Sequence, residues 1–172
     1  MYGRTLAVSL LLLGNGAWAQ ADEAAPTAMP DGVVVVGAAA PFVDSNLVAR
    51  NIIDECDLPH KQIADLKGAV PDLVVDDAVA SGGQGRVLRV EIVNALSSGN
   101  AFIGHHKQVQ IRGRLLENGN EIGSFSGTRG SMGGAFAGFK GSCSVLHRCT
   151  EALAGDVAKW LKQPSMNARI GE

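Results

Sequence analysis

Hydrophobic positions along this chain fall into runs, alternations and stripes, and each spacing predicts an element. Residues 33–36 are four valines stopped by Gly37, the length and β-branched make-up of a buried strand. Asp44 or Ser45 can cap a helix in which Val48, Ile52 and Cys56, flanked by Leu47 and Ile53, recur at helical spacing to about Asp57. Pro59 ends or sharply bends it, because proline has no N–H to donate and restricts the residue before it. Ile63, Leu66 and Val70 predict a short second helical turn closed at Gly68, and Leu73, Val74 and Val75 a second strand. Residues 81–85 form a Gly-rich loop.

The middle of the chain alternates. Leu88, Val90 and Ile92 take one face and Arg89 and Glu91 the other in a strand over residues 87–96, followed by a turn at residues 97–100. Val109, Ile111 and Leu115 then alternate with Gln108, Gln110, Arg112 and Arg114. Asn118-Gly119 is the strongest local signal, since this pair takes the positive φ values that a type I′ hairpin turn demands. A tight hairpin there returns the chain as a strand to about Arg129, with Leu115 opposite Ile122 on one face and Arg112 opposite Phe125 on the other. After a Gly-rich stretch at residues 130–141, a long helix over residues 144–163, with Thr150 as an alternative start, carries Leu146, Cys149, Leu153, Val157, Trp160 and Leu161 as its apolar stripe. Pro164 stops it, and residues 164–172 read as a frayed tail. The order predicts an α+β fold: one domain over residues 33–163, with a small mixed or antiparallel sheet packed by an N-terminal helix and a long C-terminal helix.

The first residues have another pattern. Arg4, the apolar run at residues 6–13 and the small-x-small site Ala17-Trp18-Ala19 are the three parts of an export signal over residues 1–19. The run is too short to cross a bilayer, which takes ~20 apolar residues. A buried helix or an anchor is the competing reading. No cysteine follows the cut, so no lipid anchor is expected there. Residues 20–32, rich in Ala, Pro, Asp and Glu, are a flexible lead-in. A periplasmic location follows as the expectation. The formal charge of −2 comes without any basic run, and only 5% of residues are aromatic, so neither nucleic acid nor an acidic membrane surface is an expected partner.

Export bears on the three cysteines, since an oxidising compartment favours bridges over free thiols. Cys143 and Cys149 close the shortest loop and are the preferred pair. On a continuous helix six positions turn through about 600°, so that bridge requires Cys143 to precede the helix. Cys56 is the alternative partner, and would tie the first helix to the last. His60, His105, His106 and His147, taken with the cysteines, supply donors for a metal- or redox-handling alternative, but adjacent histidines on a strand face opposite ways and no ligand spacing is met. Clustered carboxylates such as Asp54, Glu55 and Asp57 read as solvated charge, and no nucleophile elbow or phosphate loop is present. No catalytic residue and no cofactor is therefore expected. Met132, Phe136 and Phe139 in the Gly-rich stretch are either a mobile apolar lip for a partner or aromatics folded onto the core.

The succession of strand, helix, the strand at residues 87–96, a hairpin ending Gly123-Ser124-Phe125-Ser126, a Gly-rich loop and an Ala-containing closing helix resembles a group of small bacterial envelope domains. It is similar to a family of exported proteins and lipoproteins of unknown function. More distantly it resembles the peptidoglycan-synthase activator lipoproteins, the curli-secretion lipoprotein and the N-terminal domain of the Tol-system periplasmic propeller protein. The resemblance spans residues 33–161 and implies an α/β sandwich used for protein–protein contacts in the envelope, without enzymatic activity. The activator and curli lipoproteins carry a lipidated cysteine that this chain lacks at its cut site. The expected role is thus an exported accessory or binding protein whose partner is an unidentified envelope protein, met at a sheet edge or at residues 130–141.

Overall fold

Valine-rich and alternating segments meet in one six-stranded sheet, ordered β2-β1-β3-β4-β5-β6. The computed structural model describes residues 32–100, 104–133 and 141–171. The sequence-derived export signal, nearly all of the lead-in, and Phe136 and Phe139 lie outside them. Strand β1 (Val34–Val36) runs parallel to both β2 (Leu73–Val75) and β3 (Arg86–Asn100). β3, β4 (Gly104–Glu117) and β5 (Asn120–Gly133) form a long antiparallel meander, and β6 (Ala168–Ile170) pairs parallel to β5. Together with the helices below, this is the expected α+β architecture with a mixed sheet.

Four helices accompany the sheet among the described residues: α1 (Arg50–Cys56), α2 (Leu58–Ala69), α3 (Asp77–Gly82) and α4 (Ser142–Leu161). α4 lies across β4 and β5 and packs against α2 and α1. Its expected stripe is buried at Leu146, Cys149, Leu153, Val157 and Trp160, and meets Val90, Ile92, Val109, Ile111, Leu115 and Phe125 in one core. Val35 and Val87, fully buried register partners, alternate with these positions and therefore point to the opposite face, where α3 packs on β1 and β3. α3 is short. The rest of that face, along β3–β5, has no helix over it among the described residues.

Local chemistry accounts for the element ends. The first predicted helix divides: the Asp44 carboxylate caps a single 3-10 turn at Ser45–Leu47, and α1 starts only at Arg50. It ends where Asp57 takes a left-handed φ of 41°. Pro59 sits in the first turn of α2, where its missing N–H leaves no bond unmade, and α2 continues through Gly68 for twelve residues rather than one turn. Asn118 and Gly119 have φ of 50° and 82°, as the type I′ turn requires. Residues 97–100, expected as a turn, continue β3, and the chain reverses between Asn100 and Gly104.

The hairpin register differs from expectation by one residue. A bulge at Leu115/Leu116 sets Leu115 opposite Gly123 and passes over Ile122, so Phe125 faces Gly113 and Arg112 faces Ser126. The extra residue turns Phe125 from the arginine face to the core, where its ring meets Trp160 edge-on at 4.8 Å. Burying such a ring is worth about 2 kcal/mol. Gly113 makes room for it, since a Cβ there would stand 2.3 Å from the Phe125 ring. The presumed tail after Pro164 is held as well: Ser124 N–H donates to the Ser165 carbonyl, Asn167 N–H to the Ser124 hydroxyl, and β6 follows.

Candidate functional site

Strand alternation places one set of polar side chains on the uncovered face of the meander. On β3 these include Arg89 and Glu91, on β4 Gln108, Gln110, Arg112 and Arg114, and on β5 Ser124, Ser126 and Thr128. Register joins them. Arg89 is directly opposite Arg114, Glu91 opposite Arg112, Arg112 opposite Ser126, and Gln110 opposite Thr128. Arg112 Nε donates to Glu91 Oε2 at 2.8 Å, with Arg112 half exposed. Arg89 and Arg114 are exposed, and neither makes an ion pair among the described residues. Like charges directly across a sheet destabilise it. The fold therefore holds two guanidinium groups side by side at some cost to its own stability.

The opposite side of the same strands is occupied by packing and by hydrogen-bonded polar groups. Arg129, at an inward position of β5, donates from Nε to Asp156 Oδ2 on α4 at 2.8 Å, and that hydrogen bond raises the guanidinium pKa further. Lys107 is buried where β4 meets the start of α4, and its ammonium donates to the hydroxyls of Ser97 at 3.2 Å and Ser142 at 3.4 Å. On the α2–α4 seam Thr150 donates to Asp65 at 2.7 Å, and Lys61 pairs with the same carboxylate. These groups fasten helix to sheet and helix to helix, and leave the outer face as the exposed polar surface of the meander.

The residues singled out from sequence are dispersed. The disulfide joins Cys56 to Cys143, correcting the preferred pair Cys143–Cys149. Cys143 is the second residue of α4 and not part of a preceding loop, so Cys149 lies six helical positions on, about 600° round, on another face. Cys149 is the free thiol, buried against the sheet, and burial pushes its pKa up. His147 Nε2 donates to the Cys56 carbonyl at 2.7 Å and so braces the same corner. His60 pairs with Asp57 at 2.6 Å in the open, and His106 Nε2 contacts Gln108 Oε1 at 3.0 Å. Among the described residues no group of three or more His, Cys, Asp or Glu is placed to hold a metal ion. The side chains of His105 and Met132, like Phe136 and Phe139, lie outside the described residues.

The arginine cluster forms no charge run in the sequence. Arg89 is far along the chain from Arg112 and Arg114, and only the β3–β4 register unites them. A signal was present: no Asp or Glu occurs in residues 92–116 or 122–150, which contain Lys107, Arg112, Arg114, Arg129, Lys140 and Arg148. Carboxylates gather instead in residues 54–77, on and around α1, α2 and α3. No helix among the described residues is long and apolar enough to cross a membrane.

A scan against protein-family models and a sequence search of curated proteins find no match. Solved structures do match in fold. One is PelC from Paraburkholderia phytofirmans, described as a dodecamer, with TM-score 0.46 and 15% identity, covering 74% of this chain and 90% of that one. A DUF330 protein from Xanthomonas campestris has TM-score 0.49 and 11% identity, covering 74% and 81%. Lipoprotein GNA1162 from Neisseria meningitidis has TM-score 0.40 and 12% identity, covering 74% and 99%. The chain is thus similar in fold, at low identity, to bacterial lipoproteins and to PelC.

Proposed function

We propose that this chain is an exported, non-enzymatic binding module of the bacterial cell envelope that works through the uncovered face of β3–β5. The observation that carries the reading is that face itself. It is a rigid, hydrogen-bonded surface of guanidinium, amide and hydroxyl groups, with Arg89 and Arg114 held together and without an ion pair among the described residues. A sheet backed by a full core supplies the preorganisation that makes a flat surface a good docking platform. The signal pattern of residues 1–19 supports export to the periplasm, and a bridge between Cys56 and Cys143 suits that oxidising compartment.

Site-specific photo-crosslinking in cells tests it. A photoreactive residue at Ser126, in the middle of the face, is expected to give a discrete adduct in the periplasmic fraction. The same residue at Glu151, exposed on α4, is expected to give none. Equal labelling from both positions, or none from Ser126, overturns the reading.

A further inference from the structure

We infer that the partner at this face is an acidic protein segment, extended along the strands and presenting carboxylates at alternate positions. The inference rests on the reading of the face as the binding surface and adds the chemistry of what binds there. Arg112 and Arg114 are two residues apart on β4 and so project from the same face about 7 Å apart. Arg89 stands across from Arg114, with Cβ atoms about 5 Å apart as in any directly opposed pair. An extended segment repeats its own same-side carboxylates at the same interval of about 7 Å. A guanidinium accepts a carboxylate through two parallel N–H···O bonds, so matched spacing gives register as well as attraction.

The chain itself offers these arginines little competition. Glu91 on β3 is committed to Arg112, Glu117 on β4 pairs with Arg86 at 3.8 Å, and neither Arg89 nor Arg114 makes an ion pair among the described residues. Ser126, Thr128, Gln108 and Gln110 flank them with hydroxyl and amide donors for carboxylate oxygens or for a partner's backbone. The face shows no Phe, Tyr or Trp among its described residues, which disfavours the stacking that sugars and bases use. A flat cationic surface of this kind suits an acidic peptide over a glycan or a nucleic acid.

The test uses the processed protein purified from the periplasm and a fluorescein-labelled decapeptide of alternating Glu and Thr, read by anisotropy. Binding is expected to weaken about two- to fivefold for Arg89→Gln and for Arg114→Gln, the range of an exposed ion pair, and to weaken further in the double variant, though not by the simple product, because the two residues are direct neighbours. It is expected to weaken as ionic strength rises from about 0.05 M to about 0.3 M. Lys162→Gln, at an exposed position at the far end of α4, is expected to change nothing. Both arginines are exposed, so the variants keep their thermal midpoint or gain slightly, which separates lost binding from lost folding. Absence of binding, or binding indifferent to Arg89→Gln and Arg114→Gln, overturns the inference. So does polygalacturonate or an anionic phosphatidylglycerol vesicle binding at least as tightly as the peptide. A Ser126 crosslink that persists in the double variant removes the acidic partner while keeping the module; no Ser126 crosslink in the unaltered protein removes the module itself.

Discussion

Cleaving the Cys56–Cys143 bridge, by reduction or by Cys143→Ser, tests whether the corner between α1 and α4 is a principal fastening of the fold. The bridge spans 87 residues, including α2, β2, α3 and the whole β3–β5 meander. In the chain-entropy account, closing a loop of that length removes about 15 cal/mol/K from the unfolded ensemble, or about 4.6 kcal/mol at 25 °C. A domain of this size has a net stability of about 5–15 kcal/mol, so the loss is a large fraction of the whole. The native state keeps something at the corner, because His147 still donates to the Cys56 carbonyl and Ile52 and Leu146 remain in the core. Urea unfolding of the periplasmic protein, followed by tryptophan fluorescence with and without reductant, measures the effect. Trp160 reports it, being buried against Phe125. We expect the midpoint to fall by an amount worth about 3–5 kcal/mol with little change in native-state slope. A loss below about 1 kcal/mol refutes the reasoning. So does thiol counting in urea without reductant that finds no thiol or three, where the structure requires one, Cys149.

Three further outcomes follow from the packing. Gly113→Ala puts a methyl group 2.3 Å from the Phe125 ring and 3.0 Å from the Arg89 carbonyl, and should cost about 1–3 kcal/mol in urea unfolding; Phe125→Leu in the same chain should recover part of it. Arg129→Ala removes the 2.8 Å partner of the Asp156 carboxylate, nearly buried on α4, and leaves it Lys159 at 3.7 Å; it should destabilise by about 1–3 kcal/mol, whereas Arg112→Ala on the exposed face should stay within about 1 kcal/mol. Because burial raises the Cys149 thiol pKa, the folded state holds that proton more tightly than the unfolded one, so the contribution to stability is complete below the usual thiol range and is lost as pH rises through the raised value. A fall in midpoint toward alkaline pH that Cys149→Ala abolishes checks this, as does slow reaction of the native thiol with a disulfide reagent at neutral pH and fast reaction in urea.

What was legible in the sequence was what local chemistry decides. Asn118-Gly119 dictates its turn through backbone φ alone, and Leu88, Val90 and Ile92 show their face by alternation. The α4 stripe reads directly because a long amphipathic helix repeats its signal five times. Three other features depend on partners remote in the chain. Cys143 could not be assigned to Cys56 by spacing, since whether it opens the helix or precedes it decides the pairing. β6 has three residues and no pattern of its own; Ser124 and Asn167 tie it to β5. Arg89 and Arg114 become neighbours only through the β3–β4 ladder, so a search for basic runs passes over them.

The hairpin bulge connects the core to the candidate surface more tightly than either shows alone. Side chains on a strand alternate, so inserting Ile122 as an unpaired residue shifts every later position of β5 against β4 by one face. The shift that carries Phe125 inward to Trp160 also brings Ser126 and Thr128 outward beside Arg112 and Gln110. Without the bulge, the Phe125 ring would lie among the arginines and Ser126 would be pressed onto α4. The hydrophobic gain from one aromatic side chain thus selects the register that keeps the Phe125 ring off the polar face, where Leu96, opposite Gln108, is an exposed apolar group. Gly113 belongs to the same arrangement, because a Cβ there would stand 2.3 Å from the ring whose burial favours the register. Core packing here does more than stabilise the sheet: it determines which side chains the sheet presents on its outer face.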